Sequence, residues 1–218
     1  MITILQFTDI LCVWAYIAQV RADELREHFG ADIHIEQHFC SVFGDTQRKI
    51  TKGWAERGGF AGYGDHVKKT VGRFDHVEVH PDIWTRDTPR SSLATHLFLN
   101  AVRLAEPERF DKAVWTLRQA FFHDLVDISN RDEQLRIAEL LDMSIPNIEL
   151  ALKSGAAHAG LDHDLKLAAR WDVKVSPTFI FNEGRQRLVG NVGYRILEAN
   201  VHELLHRDDH AEEQLSWC

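Results

Sequence analysis

From Ile2 to Thr8 the chain alternates apolar and polar residues (ITILQFT), the two-residue period of a strand with one face buried. Behind it, Trp14, Ile17, Ala18, Leu25 and Phe29 fall near helical spacing and predict a helix over 13–28, with Gly30 as its stop. Alternation returns in IHIEQHF, a second strand over 33–39, and strand, helix and strand in so short a span make a βαβ unit. Residues 41–64 are weakly patterned and carry several glycines, which predicts a short helix and a mobile loop. From 65 to about 171 the pattern is almost entirely helical. Pro89 and Pro107 sit near helix starts, and Asn130 with Glu133 is a capping-box-like opening for a helix over 132–141. Ser144 and Pro146 open another, and 156–170 forms the last of this block. The pattern then reverts to β: a strand over 177–182, a Glu183-Gly184 turn and a hairpin partner over 186–189. Gly190–Gly193 leads into a closing helix over 194–206 and a tail that is charged and then abruptly apolar.

With 218 residues, 44% of them hydrophobic and 27% charged, the chain fits one large domain, or one domain with a sizeable insert. At that length neither a disulfide framework nor a structural metal is needed to hold the core. The formal net charge of -8 argues against a dedicated nucleic-acid partner, whose binding depends on a basic face. No run approaches the ~18 apolar residues of a membrane span, and the apolar N-terminus lacks a basic leader and a small-residue cleavage site, so it is expected to be mature structure. Three cysteines, Cys12, Cys40 and Cys218, point to a reducing compartment, and a cytoplasmic location is expected.

Cys12 follows the first strand and opens the first helix. Helix N-terminal N–H groups lack intrahelical partners, and the helix dipole adds partial positive charge there. A thiolate is stabilised by both, so the expected Cys12 pKa lies below the free value of about 8.5. The alternative for a lone cysteine is an inert core residue. Pro177 opens a later strand, where either a trans proline at a strand start or a cis bond is permitted.

Taken together, Asp9-Ile-Leu-Cys12-Val-Trp14-Ala15-Tyr16, His80-Pro-Asp-Ile-Trp84, Val175-Ser-Pro177-Thr-Phe179 and the terminal Ser216-Trp-Cys218 resemble the DsbA-like family. Its relatives include kappa-class glutathione transferases and 2-hydroxychromene-2-carboxylate isomerases. The resemblance covers nearly the whole chain and implies an α/β thioredoxin fold with an inserted all-helical domain. It implies that Cys12 is the catalytic thiol and that Pro177 is a cis-proline beside it. It further implies that Trp14 and Ser176 line the substrate site, with the backbone of Ser176 pairing with the substrate's cysteinyl segment. A turn before a helix suits a carboxylate, and in glutathione-using relatives a comparable turn holds the γ-glutamyl group. The family's Ser-Asp pair is not evident at Gly190–Gly193, which leaves Asn191 and Arg195 as the candidate contacts.

The resolving position of the Cys-x-x-Cys motif is occupied here by Ala15. A single thiol forms a mixed disulfide but cannot resolve it internally. Ala15 is therefore either native, in a protein resolved by glutathione, or a replacement that traps the adduct, or the mark of transferase or isomerase work. Cys40 and Cys218 are candidate distant resolving thiols, with non-catalytic roles as the alternative. His202 and His206 lack a matching zinc-ligand set and are expected to be a solvated helix face, with no metal site.

The sequence thus predicts a thioredoxin-like domain from 1–64 and 171–218 around a helical insert from 65–170. The expected function is a cytoplasmic thiol–disulfide oxidoreductase, a glutathione-linked disulfide reductase. Glutathione serves as co-substrate with no tightly bound cofactor, and disulfide-containing or glutathionylated proteins are the substrates. A kappa-like transferase or isomerase and a non-catalytic thioredoxin-like binding module are the alternatives.

Overall fold

The computed structural model describes residues 1–209. Four strands, β1 (Ile2–Thr8), β2 (Ile33–Phe39), β3 (Thr178–Phe181) and β4 (Gln186–Val189), form one sheet in the order β2-β1-β3-β4. β1 and β2 are parallel, and β3 runs antiparallel to both β1 and β4. The alternation in β1 sorts its side chains to two faces. Ile4 packs with Ala22, Leu25 and Phe29 of α1 (Val13–Phe29) and with Leu197 and Val201 of α9 (Tyr194–Asp209). Phe7 faces the other way, onto Cys40, Ile180 and Ala168 of α8 (Ala156–Arg170). Each such fully buried side chain contributes about 1.5–3 kcal/mol.

Between β2 and α8 lie α2 (Thr46–Gly53), α3 (Gly59–Val71), α4 (Leu93–Ala105), α5 (Phe110–Phe122), α6 (Arg131–Leu140) and α7 (Ile145–Lys153). They share a second, larger core that also takes Val13, Tyr16 and Ile17 from α1. One helix therefore belongs to both cores, its first turns in the helical block and its last turns against the sheet. Several ends are set locally. Asp45 caps α2 by accepting from the Arg48 N–H at 2.8 Å, and Asn130 caps α6 by accepting from the Asp132 N–H at 2.9 Å.

Two stretches differ from the pattern-based expectation. The weakly patterned 41–64 segment contains all of α2 and the start of α3, and residue 65 falls inside α3. Residues 72–92, expected to be helical, form an irregular segment instead. Pro81 and Pro89 explain the difference, since each disfavours helix in the residue before it. The segment is held by burial: Val77, Ile83 and Trp84 are all inside the larger core. Gly64 makes this possible, because a Cβ there would sit 2.4 Å from the Ile83 carbonyl oxygen. As a result α4 begins at Leu93, four positions after Pro89.

Among the described residues no helix is long and apolar enough to cross a membrane. The C-terminal Ser216-Trp-Cys218 lies outside the described residues.

Candidate active site

The sheet brings the candidate residues together. Phe7 of β1 stands opposite Thr178 of β3, so the chain leaving β1 runs beside the chain entering β3. There the Asp9 N–H donates to the Ser176 hydroxyl at 2.8 Å. Cys12 is the N-cap residue of α1, in extended conformation and making no side-chain cap bond. Its thiol donates instead to the Ser176 carbonyl oxygen at 3.1 Å. The Ser176–Pro177 peptide bond is cis. The Gly190 N–H donates to the Pro177 carbonyl at 2.8 Å, which sets the Gly190–Gly193 turn against the same loop. Cys12, Ser176, Pro177 and the turn thus converge from three separate segments of the chain. Ala15, one turn into α1, is buried.

Beside Ser176 opens a cavity of about 460 Å³, lined by Trp14, Arg73, Phe74, Val175, Ser176, Gly190 and Asn191. Phe74 meets the Trp14 ring edge-on at 6.4 Å, and the Arg73 guanidinium lies 5.8 Å from the Trp14 centroid. Asn191 is on this wall, its side-chain oxygen accepting from Arg21. Arg195 is not: it is exposed on α9 and does not line the cavity. The cation at the cavity is Arg73, which lies in the irregular segment where the sequence suggested a helix.

The electrostatics correct one expectation. Burial pushes the Cys12 thiol above its ordinary range, not below it. The N–H groups of Ala15 and Trp14 and the contact to Ser176 pull the other way, and the nearby Asp9 adds to the rise. The helix-end effect is present, but Cys12 is only 5% exposed, and desolvation of a thiolate outweighs it. Asp9 itself is fully buried and saturated: it accepts from Leu11 N–H at 3.0 Å, Phe43 N–H at 2.8 Å and the Ser92 hydroxyl at 2.9 Å. Ser92 is the N-cap residue of α4, so Asp9 ties the β1–α1 loop to the helical block. The Ile10 N–H donates to His96 Nε2 at 3.1 Å, and burial pushes the His96 pKa down to about 4, so this imidazole is neutral near pH 7.

Arg118 of α5 is a buried cation in the same region. Its guanidinium donates to the Thr8 hydroxyl at 2.6 Å and to the Gln19 side-chain oxygen, while among the described residues Nε has no partner. Among the described residues no carboxylate comes within ion-pair distance of it. Burial lowers its pKa to about 10, opposed by the negative charges of Asp23 and Asp9 and, when they ionise, of Cys12 and Tyr16. Arg118, His96, Ser92 and Arg73 were not among the residues the sequence singled out. Arg118 alone left a signal, a cation in the apolar stripe Val114, Leu117, Phe121 of a helix.

Cys40, at the end of β2, is buried with Phe7, Ala168 and Ile180. Burial pushes its thiol up, with Asp9 and Cys12 adding to the effect. It is enclosed on the α8 side of the sheet, and Cys218 lies outside the described residues.

A family model described as Thioredoxin matches residues 6–202, and the chain belongs to that family. The architecture, a mixed sheet with a large helical block, is that of DsbA-like structures. SCO1869 of Streptomyces coelicolor, described as a probable DsbA oxidoreductase, aligns with a TM-score of 0.72 at 13% identity, covering 100% of this chain and 93% of that one. The cytosolic disulfide reductase DsbM of Pseudomonas aeruginosa aligns with a TM-score of 0.67 at 16% identity, covering 93% and 99%, and it has also been solved with GSH. By sequence, the ClpXP adapter protein SpxH of Halalkalibacterium halodurans is 23% identical over 145 residues, which is 64% of this chain and 47% of that protein. The match thus spans about half of the adapter's length.

Proposed function

We propose that this protein is a cytoplasmic thiol–disulfide oxidoreductase in which Cys12 exchanges with disulfides and glutathione resolves the resulting adduct. The observation that carries the reading is the position of the Cys12 sulfur, at a helix N-terminus and 3.1 Å from the carbonyl of Ser176, a residue that lines an open cavity and precedes the cis Pro177. In the first step Cys12 loses its thiol proton to solvent and, as the minor thiolate form, attacks the glutathione sulfur of a glutathionylated thiol. A new sulfur–sulfur bond forms between Cys12 and glutathione, and the substrate leaves as a thiolate that takes up a proton. In the second step a glutathione thiolate attacks that bond, releasing glutathione disulfide and restoring Cys12. The external thiol supplies the attack that Ala15 cannot, and among the described residues the other cysteine, Cys40, is packed against Phe7, Ala168 and Ile180.

Cavity size and chemistry agree with a tripeptide bearing two carboxylates. Arg73 offers a cation at one wall, and the Gly190–Gly193 turn with Asn191 offers polar groups at another. Trp14 and Phe74 supply the apolar surface between them. The existence of a GSH-bound structure of DsbM supports glutathione as the co-substrate.

The test is steady-state reduction of a glutathionylated peptide by glutathione, with the product disulfide recycled enzymatically. Cys12→Ser is expected to reduce the rate to that without protein, and Arg73→Met to raise KM for glutathione with little change in kcat. Retention of turnover by Cys12→Ser contradicts the reading.

A further inference from the structure

His28 stands in the last turn of α1, two residues before the Gly30 cap, and Glu198 and His202 are one turn apart on α9. One ligand atom from each of these three side chains lies within 4.8 Å of the others. We propose that His28, Glu198 and His202 form a site for a divalent first-row transition ion of the zinc class, joining the end of the first helix to the last.

The geometry is suited to it. His28 Nδ1 and Glu198 Oε1 are 3.2 Å apart. Two donors each about 2.0–2.1 Å from a tetrahedral zinc ion stand about 3.3 Å from one another. The backbone positions are fixed from below, because Leu25 and Phe29 of α1 share a core with Leu197, Val201 and Leu204 of α9. The Phe29 ring contacts the His202 ring directly, edge to face at 5.0 Å. Two imidazoles and one carboxylate favour zinc, nickel or copper over magnesium or calcium, which prefer all-oxygen cages. The Tyr194 hydroxyl, 2.6 Å from His28 Nδ1, now hydrogen-bonds the atom that would bind the ion and must yield it. His206 stacks beside His202 at 6.2 Å, one turn further along α9. The sixteen residues from Cys12 to His28 span about 24 Å of helix, so the site is separate from the thiol chemistry and stands whether or not that reading holds.

The experiment is calorimetric titration of the full chain with zinc, alongside His28→Ala, Glu198→Gln and His202→Ala. His34→Ala, which alters an exposed histidine on β2, serves as the control. A saturable zinc equivalent is expected, weakened at least about tenfold in each of the three variants and unchanged in the control. Zinc should also raise the melting temperature of the parent protein and not that of His28→Ala. Cobalt substitution distinguishes the ligand atoms: this site gives a spectrum without a sulfur-to-cobalt charge-transfer band. Absence of saturable binding, an affinity unchanged in His28→Ala, or a charge-transfer band that places the metal on cysteine would each overturn the proposal.

Discussion

Two effects of opposite sign meet on the Cys12 sulfur. Burial favours the thiol, while the amide N–H groups at the start of α1 and the contact to Ser176 favour a thiolate, and burial is the larger. The resting protein therefore holds Cys12 protonated at neutral pH, and its rate of alkylation should keep rising as pH passes the free-thiol value of about 8.5. Arg118 bears on the same balance. A buried cation with no carboxylate in ion-pair contact is costly, and the Cys12 thiolate, once formed, interacts favourably with it. Removing it takes positive charge away from the thiolate. Arg118→Met should thus move the alkylation profile of Cys12 to higher pH and slow the reaction severalfold at pH 7, with Arg118→Lys recovering part of the loss. An unmoved profile in a folded Arg118→Met protein would show that the guanidinium serves packing alone. The sequence identified Cys12 as the residue to examine but not the state of its sulfur. Position on a helix is encoded locally, whereas desolvation depends on a core that gathers residues from far along the chain, Phe98 and Leu117 among them.

The strands and the longer helices were legible because each buries one face against a core, and burial of one face leaves a period in the sequence. What escaped were elements held by single long-range contacts. The 72–92 segment falls in the stretch expected to be helical, yet it is fixed by Trp84 in the core and by the close approach of Ile83 to Gly64. Asp164 on α8 is a second case. It is fully buried, 2.7 Å from His38 Nδ1 at the end of β2, and it accepts from the Phe39 N–H at 3.2 Å and from Arg103 at 3.4 Å. Burial raises its pKa, but the His38 bond, Arg103 and the Phe39 N–H outweigh it and hold the carboxyl below its usual range. With the folded pKa depressed, this stabilisation is complete above the unfolded value of about 4 and is lost as pH falls through the folded value. Asp164→Asn should cost about 3–5 kcal/mol at pH 7. Urea unfolding should show the gap between the two proteins narrowing below pH 4, and equal stabilities at pH 7 would contradict the role given to Asp164.

At the scale of the molecule, the thioredoxin architecture sets one cysteine at a loop crossing and leaves the position three residues on to Ala15. The helical block then encloses the crossing through Asp9, Ser92 and His96. The cavity beside Ser176 is open to solvent, and Cys40, just after β2, is buried with Phe7, Ala168 and Ile180. Under the proposed function, an adduct at Cys12 is slow to clear without an external thiol, because no thiol stands at position 15 to displace it. The direct measurement is intact-mass and peptide-mapping spectrometry of the protein after exposure to glutathione disulfide, compared with an Ala15→Cys variant. The account predicts one glutathione on Cys12 that persists until free thiol is added, and a much shorter-lived adduct in Ala15→Cys as the new thiol displaces it. An adduct absent from Cys12, or one that clears equally fast with Ala15 in place, would contradict it.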